Sequence, residues 1–504
     1  MKKKILLMIS LVSLLFAWQM LQVKQVLADS KMKVVTTFYP VYEFTKGVLG
    51  DQADISMLIK AGTEPHDFEP STKNIATIQN ADAFVYMDNS METWVPSVKK
   101  SIKTDKLTIV KGTGDMLLSA GVAEEGDHEH GHESHHHDYD PHVWLSPKRA
   151  ITVVENIRDG FVTAYPDKAD TFKSNAAGYI EKLKKLDNEY TDGLSNVKQK
   201  SFVTQHAAFG YLALDYGLNQ IPITGISAEA EPSAKRLAQL SEYVKKYKVK
   251  YIYFEENASS KVAKTLANEA GVKTEVLNPL ESLTNKQIKA GKDYFSVMRK
   301  NLKALKLTTD VAGKEIQAEK DTTKTVNKGY FKTRDVTDRK LSDWTGEWQS
   351  VYPYLQDGTL DSVWDYKAKA NKDMSAAEYK AYYTTGYKTD VEKINIDGKK
   401  NTITFVQNGV EHTFKYKYVG HKILTYKKGN RGVRYLFETD DKDAGQFKYI
   451  QFSDHGIKSQ KAEHFHLFWG DSSQDEILEE MDNWPTYYPA NLTGKEIAQE
   501  IVAH

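Results

Sequence analysis

The sequence predicts two folded domains in series: an α/β domain with mainly parallel strand pairing, then an antiparallel β domain closing as a barrel. Three observations carry this expectation. The chain has 504 residues with a hydrophobic share of 40%, longer than one core usually organises and apolar enough to fold. From Met32 to about Thr309 short apolar runs alternate with longer amphipathic stretches. Beyond Lys328 aromatic and alternating β-prone runs are punctuated by Asn, Asp and Gly, the pattern of hairpins.

The chain opens with Lys2-Lys3-Lys4, an apolar run from Ile5 to Trp18 and Val26-Leu27-Ala28 before Asp29. Basic, apolar and small-residue parts in that order read as a secretory signal over residues 1–28, cleaved after Ala28. An uncleaved signal anchor is the alternative, weakened by an apolar run short for a membrane span. No later segment reads as a span. The chain has no cysteine, so disulfides do not staple the exported protein and no lipobox cysteine is available for acylation.

In the first domain, residues 29–307, Val34–Phe38, Ile55–Leu58, Ala83–Met87, Phe202–Thr204, Tyr251–Phe254 and Thr274–Leu277 read as strands. A helical region from Pro147 to about Leu194, interrupted near Tyr165-Pro166-Asp167, separates the two sets and would brace two lobes with a crevice between them. A polar stretch without periodicity makes residues 308–334 the linker. In the second domain, 335–504, Trp344, Trp348, Tyr352 and Tyr354 crowd the opening, and Thr402–Val406, Thr413–Tyr418 and Gly432–Phe437 alternate as strands, with a short helix expected over Ala376–Thr384.

Function classes narrow through charge and histidine. Lys+Arg and Asp+Glu are equal at 68 each, which gives nucleic acid no basic field to bind. Twelve of the 15 histidines fall into three groups, and imidazole without thiolate points to zinc. His66 follows the second strand run, His206 follows Phe202-Val-Thr-Gln205, Glu281 follows Thr274–Leu277, and His142 precedes the long helix. Ligands of open α/β sheets bind beyond the carboxyl ends of strands, and three imidazoles with one carboxylate would fill a tetrahedral zinc shell. Any one of these histidines alone reads as an ordinary loop or core residue; the combination carries the argument. Glu275 is the alternative acidic ligand, placed behind Glu281 because it lies within the strand.

Gly62-Thr-Glu-Pro-His66-Asp-Phe-Glu-Pro-Ser71, Asp140-Pro-His142-Val-Trp-Leu-Ser-Pro147 and Val203-Thr-Gln-His206-Ala-Ala-Phe-Gly-Tyr211 together resemble the ZnuA-type zinc-binding proteins of bacterial ABC transporters. The resemblance, over roughly Lys33 to Lys306, implies a two-lobed cluster A-I solute-binding fold. His66, His142, His206 and an acidic residue would hold the ion between the lobes. Manganese-binding relatives carry a carboxylate at the position of His206, so imidazole there implies preference for zinc.

Within the loop 125–138, His128, His130, His132, His135, His136 and His137 contain H-E-x-x-H twice, formally a zincin protease signature. That reading fails because the tract includes Gly131, lacks apolar positions and cannot form a packed helix. It resembles the His-rich loop of zinc-specific members of the same family, implying a tether that raises local zinc concentration. A solvated, inert loop is the alternative.

His464 and His466 share one face of a strand, with Phe465 and Leu467 on the other. The connection Gly456–Ala462 would return the chain so that His455 meets the pair, giving three histidines with an open position. Leu341-Ser-Asp-Trp-Thr-Gly-Glu-Trp348, Asp454-His-Gly-Ile457 and His464-Phe-His466 resemble the ZinT family of periplasmic, lipocalin-like zinc-binding barrels. That resemblance implies His455, His464 and His466 as ligands, with water or a labile group fourth. His412 and His421 match no ligand motif.

The combined expectation is an exported protein, at the extracellular face of a bacterial membrane or secreted. It binds one Zn2+ per domain as the non-enzymatic solute-binding component of a zinc ABC transporter. Expected partners are the permease, its ATPase and other extracellular zinc carriers, with the chain a monomer. Two rivals stand: a zinc hydrolase using the open second site with Glu463 as base, and a surface adhesion protein with structural zinc. Glu463 points away from the two histidines on an ideal strand, which weakens the first.

Overall fold

The computed structural model describes residues 31–102, 106–121, 139–225, 233–255, 261–312, 324–426, 429–478 and 482–503. The expected signal segment, the histidine-rich tract and part of the linker therefore lie outside the described residues. The described residues fall into two compact units, one within Met1–Met116 and Gly121–Ile316, the other within Leu117–Ala120 and Gln317–His504. No described helix is long and apolar enough to cross a membrane.

The first unit contains two four-stranded parallel sheets of matching order. Strands β1 (Met32–Thr36), β2 (Ala53–Met57), β3 (Ala83–Tyr86) and β4 (Thr108–Lys111) run in the order β2-β1-β3-β4. Strands β5 (Ser201–Thr204), β6 (Asn219–Pro222), β7 (Tyr251–Phe254) and β8 (Lys273–Val276) run in the order β6-β5-β7-β8. The central strands β3 and β5 are buried throughout, as parallel strands covered on both faces should be. Six of the eight match expected apolar runs to within about two residues. β4 and β6 are not among the expected runs; each is a four-residue edge strand with a single buried residue, Val110 and Ile221.

The long helical region is two helices, Pro147–Ala164 and Ala169–Leu194, divided by a 3-10 turn at Pro166–Lys168. Pro147 and Pro166 both start helical turns, where a missing N–H costs no helix bond. The second helix has 26 residues, about 39 Å at 1.5 Å per residue. Phe172, Ala176, Tyr179, Ile180, Leu183, Leu186, Tyr190 and Leu194 form its buried stripe. It packs on helix Tyr39–Leu49 beside the first sheet and on helix Tyr294–Thr309 beside the second, with Asn175 donating to the Val48 carbonyl and the Tyr190 hydroxyl to that of Met298. One rigid element thus braces both lobes.

The second unit is a curled half-barrel, a single nine-stranded sheet. Its strands are β9 (Gly346–Ser350), β10 (Val391–Asp397), β11 (Thr402–Gln407), β12 (Val410–Lys415), β13 (Lys417–Thr425), β14 (Arg431–Glu438), β15 (Tyr449–Ser453), β16 (Phe465–Gly470) and β17 (Thr486–Pro489). The order is β12-β11-β10-β9-β17-β16-β15-β14-β13, and every pair is antiparallel. One face buries Trp344, Trp348, Tyr435, Phe452, Phe465 and their neighbours. A second core gathers Trp364, Tyr379, Tyr488, Ile497 and Ile501 from helices and β17. The expected helix extends over Ala376–Tyr387, and two unexpected ones, Tyr352–Gln356 and Asp361–Ala370, precede it. The run Thr413–Tyr418 divides at Tyr416, whose N–H donates to the Asn401 carbonyl and whose hydroxyl donates to that of Phe447.

Candidate metal centres

Four loops of the first unit converge on one point. His66 lies beyond β2, in a turn where its N–H donates to the Glu64 carboxylate at 3.1 Å. His142 precedes the helix at Pro147; the Trp144 indole donates to the Pro279 carbonyl at 2.8 Å, and the Tyr294 hydroxyl donates to the Trp144 carbonyl at 2.6 Å. His206 follows β5, with its carbonyl accepting from Thr204 and Gln220. Glu281 follows β8 and is preceded by Leu280 in the left-handed region at φ 57°, a conformation unusual for a branched side chain and found mainly where surroundings enforce it. Gly62, at φ 84°, donates its N–H to the Ser282 hydroxyl and so links the first and last of these loops.

Donor atoms of His66, His142, His206 and Glu281 all lie within 4.8 Å of one another. His66 Nε2 is 3.1 Å from His142 Nε2, and His206 Nε2 is 3.4 Å from it. Glu281 Oε1 stands 3.7, 3.3 and 3.4 Å from the Nε2 atoms of His66, His142 and His206. A tetrahedral zinc shell with bonds of about 2.0–2.1 Å has edges of roughly 3.3–3.4 Å, so the donor set fits the ion in size and in kind. Glu281 Oε1 is buried and makes no well-formed hydrogen bond among the described residues, the state expected of an oxygen shaped for a cation. Glu275 is not in this group; its carboxylate accepts from the Val276 N–H.

Electrostatics orient the rings. His142 Nδ1 pairs with Asp140 Oδ1 at 2.7 Å, and His206 Nδ1 pairs with Glu255 Oε1. Burial alone would lower both imidazoles, but Asp140 and Glu281 hold His142 above its usual range, and Glu255 with Glu281 holds His206 well above it. Burial dominates at His66, which is lowered. Glu281, which burial would raise, is held well below the usual carboxylate range by the three imidazoles. A carboxylate on Nδ1 fixes the tautomer, leaving the Nε2 lone pair for metal.

The second unit brings His455, His464 and His466 together, donor atoms again within 4.8 Å. Ring centroids lie 5.8, 5.6 and 6.0 Å apart. β15 and β16 pair with Ser453 opposite His466, and Phe465 and Leu467 enter the aromatic core on the other face. His466 Nδ1 bonds the Thr486 hydroxyl at 2.8 Å, and His464 stacks on Tyr488. His455 sits at φ 62° after Asp454, whose carboxylate accepts from the Gly456 N–H and from the buried Arg339. Glu463 is exposed and outside the cluster. His421 instead pairs with Asp338 at 2.8 Å.

Sequence reading gave Asp140 and Glu255 no role, yet each touches a candidate ligand. The available signal was positional: Glu255 ends the run Tyr251–Phe254 as His206 ends the run before it. The tract His128–His137 lies outside the described residues.

The family model for ZnuA, the periplasmic zinc-uptake complex component A, matches residues 34–307, more than half the chain. The chain belongs to the ZnuA family. The model for ZinT (YodA), periplasmic, lipocalin-like and concerned with zinc recruitment, matches residues 322–504 of this ZnuA-family protein. The zinc-binding protein AdcA of Streptococcus pyogenes serotype M3 is 69% identical over the whole of both chains. The zinc-binding lipoprotein AdcA of Streptococcus pneumoniae strain R6 is 63% identical, again over the whole of both. The crystal structure of Zn(II)-bound AdcA from S. pneumoniae superposes with a TM-score of 0.82 at 63% identity, covering 94% of this chain and all of that one. This ZnuA-family chain is therefore a zinc-binding component of a zinc ABC uptake system, with a ZinT-like second domain. Solute binding, the family's function, is non-enzymatic.

Proposed function

We propose that the chain captures Zn2+ outside the membrane at His66, His142, His206 and Glu281 and releases it to an ABC permease driven by its ATPase. The carrying observation is the convergence of three Nε2 atoms and one carboxylate oxygen at tetrahedral-edge spacing. His455, His464 and His466 form a second, auxiliary centre whose three ligands leave a fourth position exchangeable. The histidines of 125–138 gather zinc for these centres, and other extracellular zinc carriers exchange ions with them. No catalysis is assigned: the rival hydrolase needs a base beside the metal-bound water, and Glu463 is exposed outside the cluster.

The division is signal 1–28, zinc-binding domain 29–307, linker 308–334 and ZinT-like domain 335–504, acting as a monomer. The S. pneumoniae relative is named a lipoprotein; the 504 residues here contain no cysteine. The test is uptake of radioactive zinc by bacterial cells lacking the gene. Complementation with the full chain should restore uptake from limiting zinc, the variant His142→Ala/His206→Ala should not, and restoration by that variant would refute the assignment.

A further inference from the structure

The second unit has a partly open pocket of about 640 Å³ lined in part by His455, His466, Arg431, Arg434 and Lys328. Among the described residues lining it, Asp482 is the one acid. That volume suits a small-molecule ligand, and the wall carries cationic groups that a zinc centre alone does not require.

Arg434 is the decisive residue. It is 5% exposed, and its guanidinium lies over the Phe468 ring at 3.3 Å. Its Nε and Nη1 are buried with no hydrogen-bond partner among the described residues. Arg431 repeats the pattern more openly, with Nη1 on the Thr333 hydroxyl and Nε and Nη2 unpartnered. Buried guanidinium donors without acceptors are costly; Nε and Nη2 of Arg431 form a fork that matches a carboxylate, while Nε and Nη1 of Arg434 point to different sides and each offers a single charge-assisted donor to a carboxylate oxygen.

Strand register places the Arg434 donors beside the metal centre. Ser453 faces His466, and Tyr435 faces Phe452, so Arg434, one residue earlier, faces Ser453. Arg434, Ser453 and His466 therefore form one row on the sheet face opposite the aromatic core. Arg434 and His466 are two strand spacings apart, roughly 10 Å between backbones. Long side chains shorten that gap to the span of a molecule carrying two or three carboxylates, whereas one phosphate group is too small to reach both ends.

We propose that this cavity binds a small di- or tricarboxylate, one carboxylate in the open coordination position of zinc and another on Arg434. The second centre then accepts zinc as its carboxylate complex. This rests on reading His455, His464 and His466 as a zinc centre.

The test uses the full chain carrying His66→Ala/His142→Ala/His206→Ala, loaded with Co2+ as a coloured substitute in non-coordinating buffer and titrated with citrate. If it takes up no cobalt before citrate is added, the reading of the second centre fails first. With cobalt bound, citrate should change the visible spectrum saturably. Arg434→Gln should weaken citrate by about 10- to 100-fold, the range for a hydrogen bond to a charged group, with cobalt affinity unchanged within about twofold. Arg434→Lys should fall between, and decides the matter if the Gln variant folds poorly. An unchanged spectrum, citrate stripping cobalt into solution, equal citrate affinity in the variants, or inorganic phosphate acting as well as citrate would each overturn the proposal.

Discussion

Replacing Glu255 tests how the first centre is built without touching a proposed ligand. Glu255 is 4% exposed and engages Nδ1 of His206, whose Nε2 stands 3.4 Å from both His142 Nε2 and Glu281 Oε1. Glu255→Gln keeps an acceptor but removes the charge that makes the imidazole a stronger donor to zinc. Glu255→Ala removes both and lets the ring choose either tautomer. Outer partners of metal-bound histidines are worth about 10- to 100-fold in affinity, or roughly 1.4–2.7 kcal/mol, so Gln should fall near the lower figure and Ala near the upper. The assay is competition against a chromophoric zinc chelator, with His455→Ala/His464→Ala/His466→Ala present so that the first centre alone reports. Glu275→Gln is the control, expected within about twofold of the parent. Affinity within twofold for both Glu255 variants would refute the reasoning, because ring orientation would then owe nothing to the carboxylate.

Exchanging His206→Asp replaces imidazole nitrogen by hard oxygen and should lower zinc affinity relative to manganese; an unchanged ratio in paired titrations would count against a role for His206 in selectivity. Arg339 is 1% exposed and holds both Asp454 oxygens at 2.6 and 2.8 Å, Asp343 at 3.0 Å and the Gln460 carbonyl at 2.8 Å. Arg339→Ala leaves Asp454 buried and unpaired, so the second domain should lose about 3–5 kcal/mol in denaturant unfolding and its zinc with it, while the first centre stays filled. Both centres should empty below about pH 5.5, since bound imidazoles must be neutral and start from a reference pKa near 6.5. In the metal-free first centre His142 and His206 are raised, so protons compete there from a higher pH as acidity increases. Zinc stoichiometry measured across pH 7 to 5 checks this, and full occupancy at pH 5 would contradict it.

Much of the architecture is legible in the sequence because apolar runs reach the sheet centres. Val203 and Phe202 in β5, or Phe84 and Val85 in β3, are wholly buried and announce themselves. Edge strands such as Asn219–Pro222 carry too few apolar residues to do so. His66 and His206 follow strands and His464 and His466 lie at or beside β16, where period and topology place side chains, whereas His142 precedes a helix and is picked out by its motif. Glu255 and Asp140 could not be picked out, since a carboxylate near a candidate ligand has many uses and only the folded contact with Nδ1 selects one. Arg434 carried no signal in the sequence either: nothing in Arg431-Gly-Val-Arg434 marks it, yet it is 5% exposed with its guanidinium over Phe468.

The most direct test of the account is zinc stoichiometry by elemental analysis after dialysis against limiting zinc, for residues 29–504 and for His455→Ala/His464→Ala/His466→Ala. Two independent centres predict two ions per chain in the parent and one in the variant, retained at the first centre. Equal zinc in both proteins would contradict the account, reducing the chain to a single-site binding component whose second domain holds no ion.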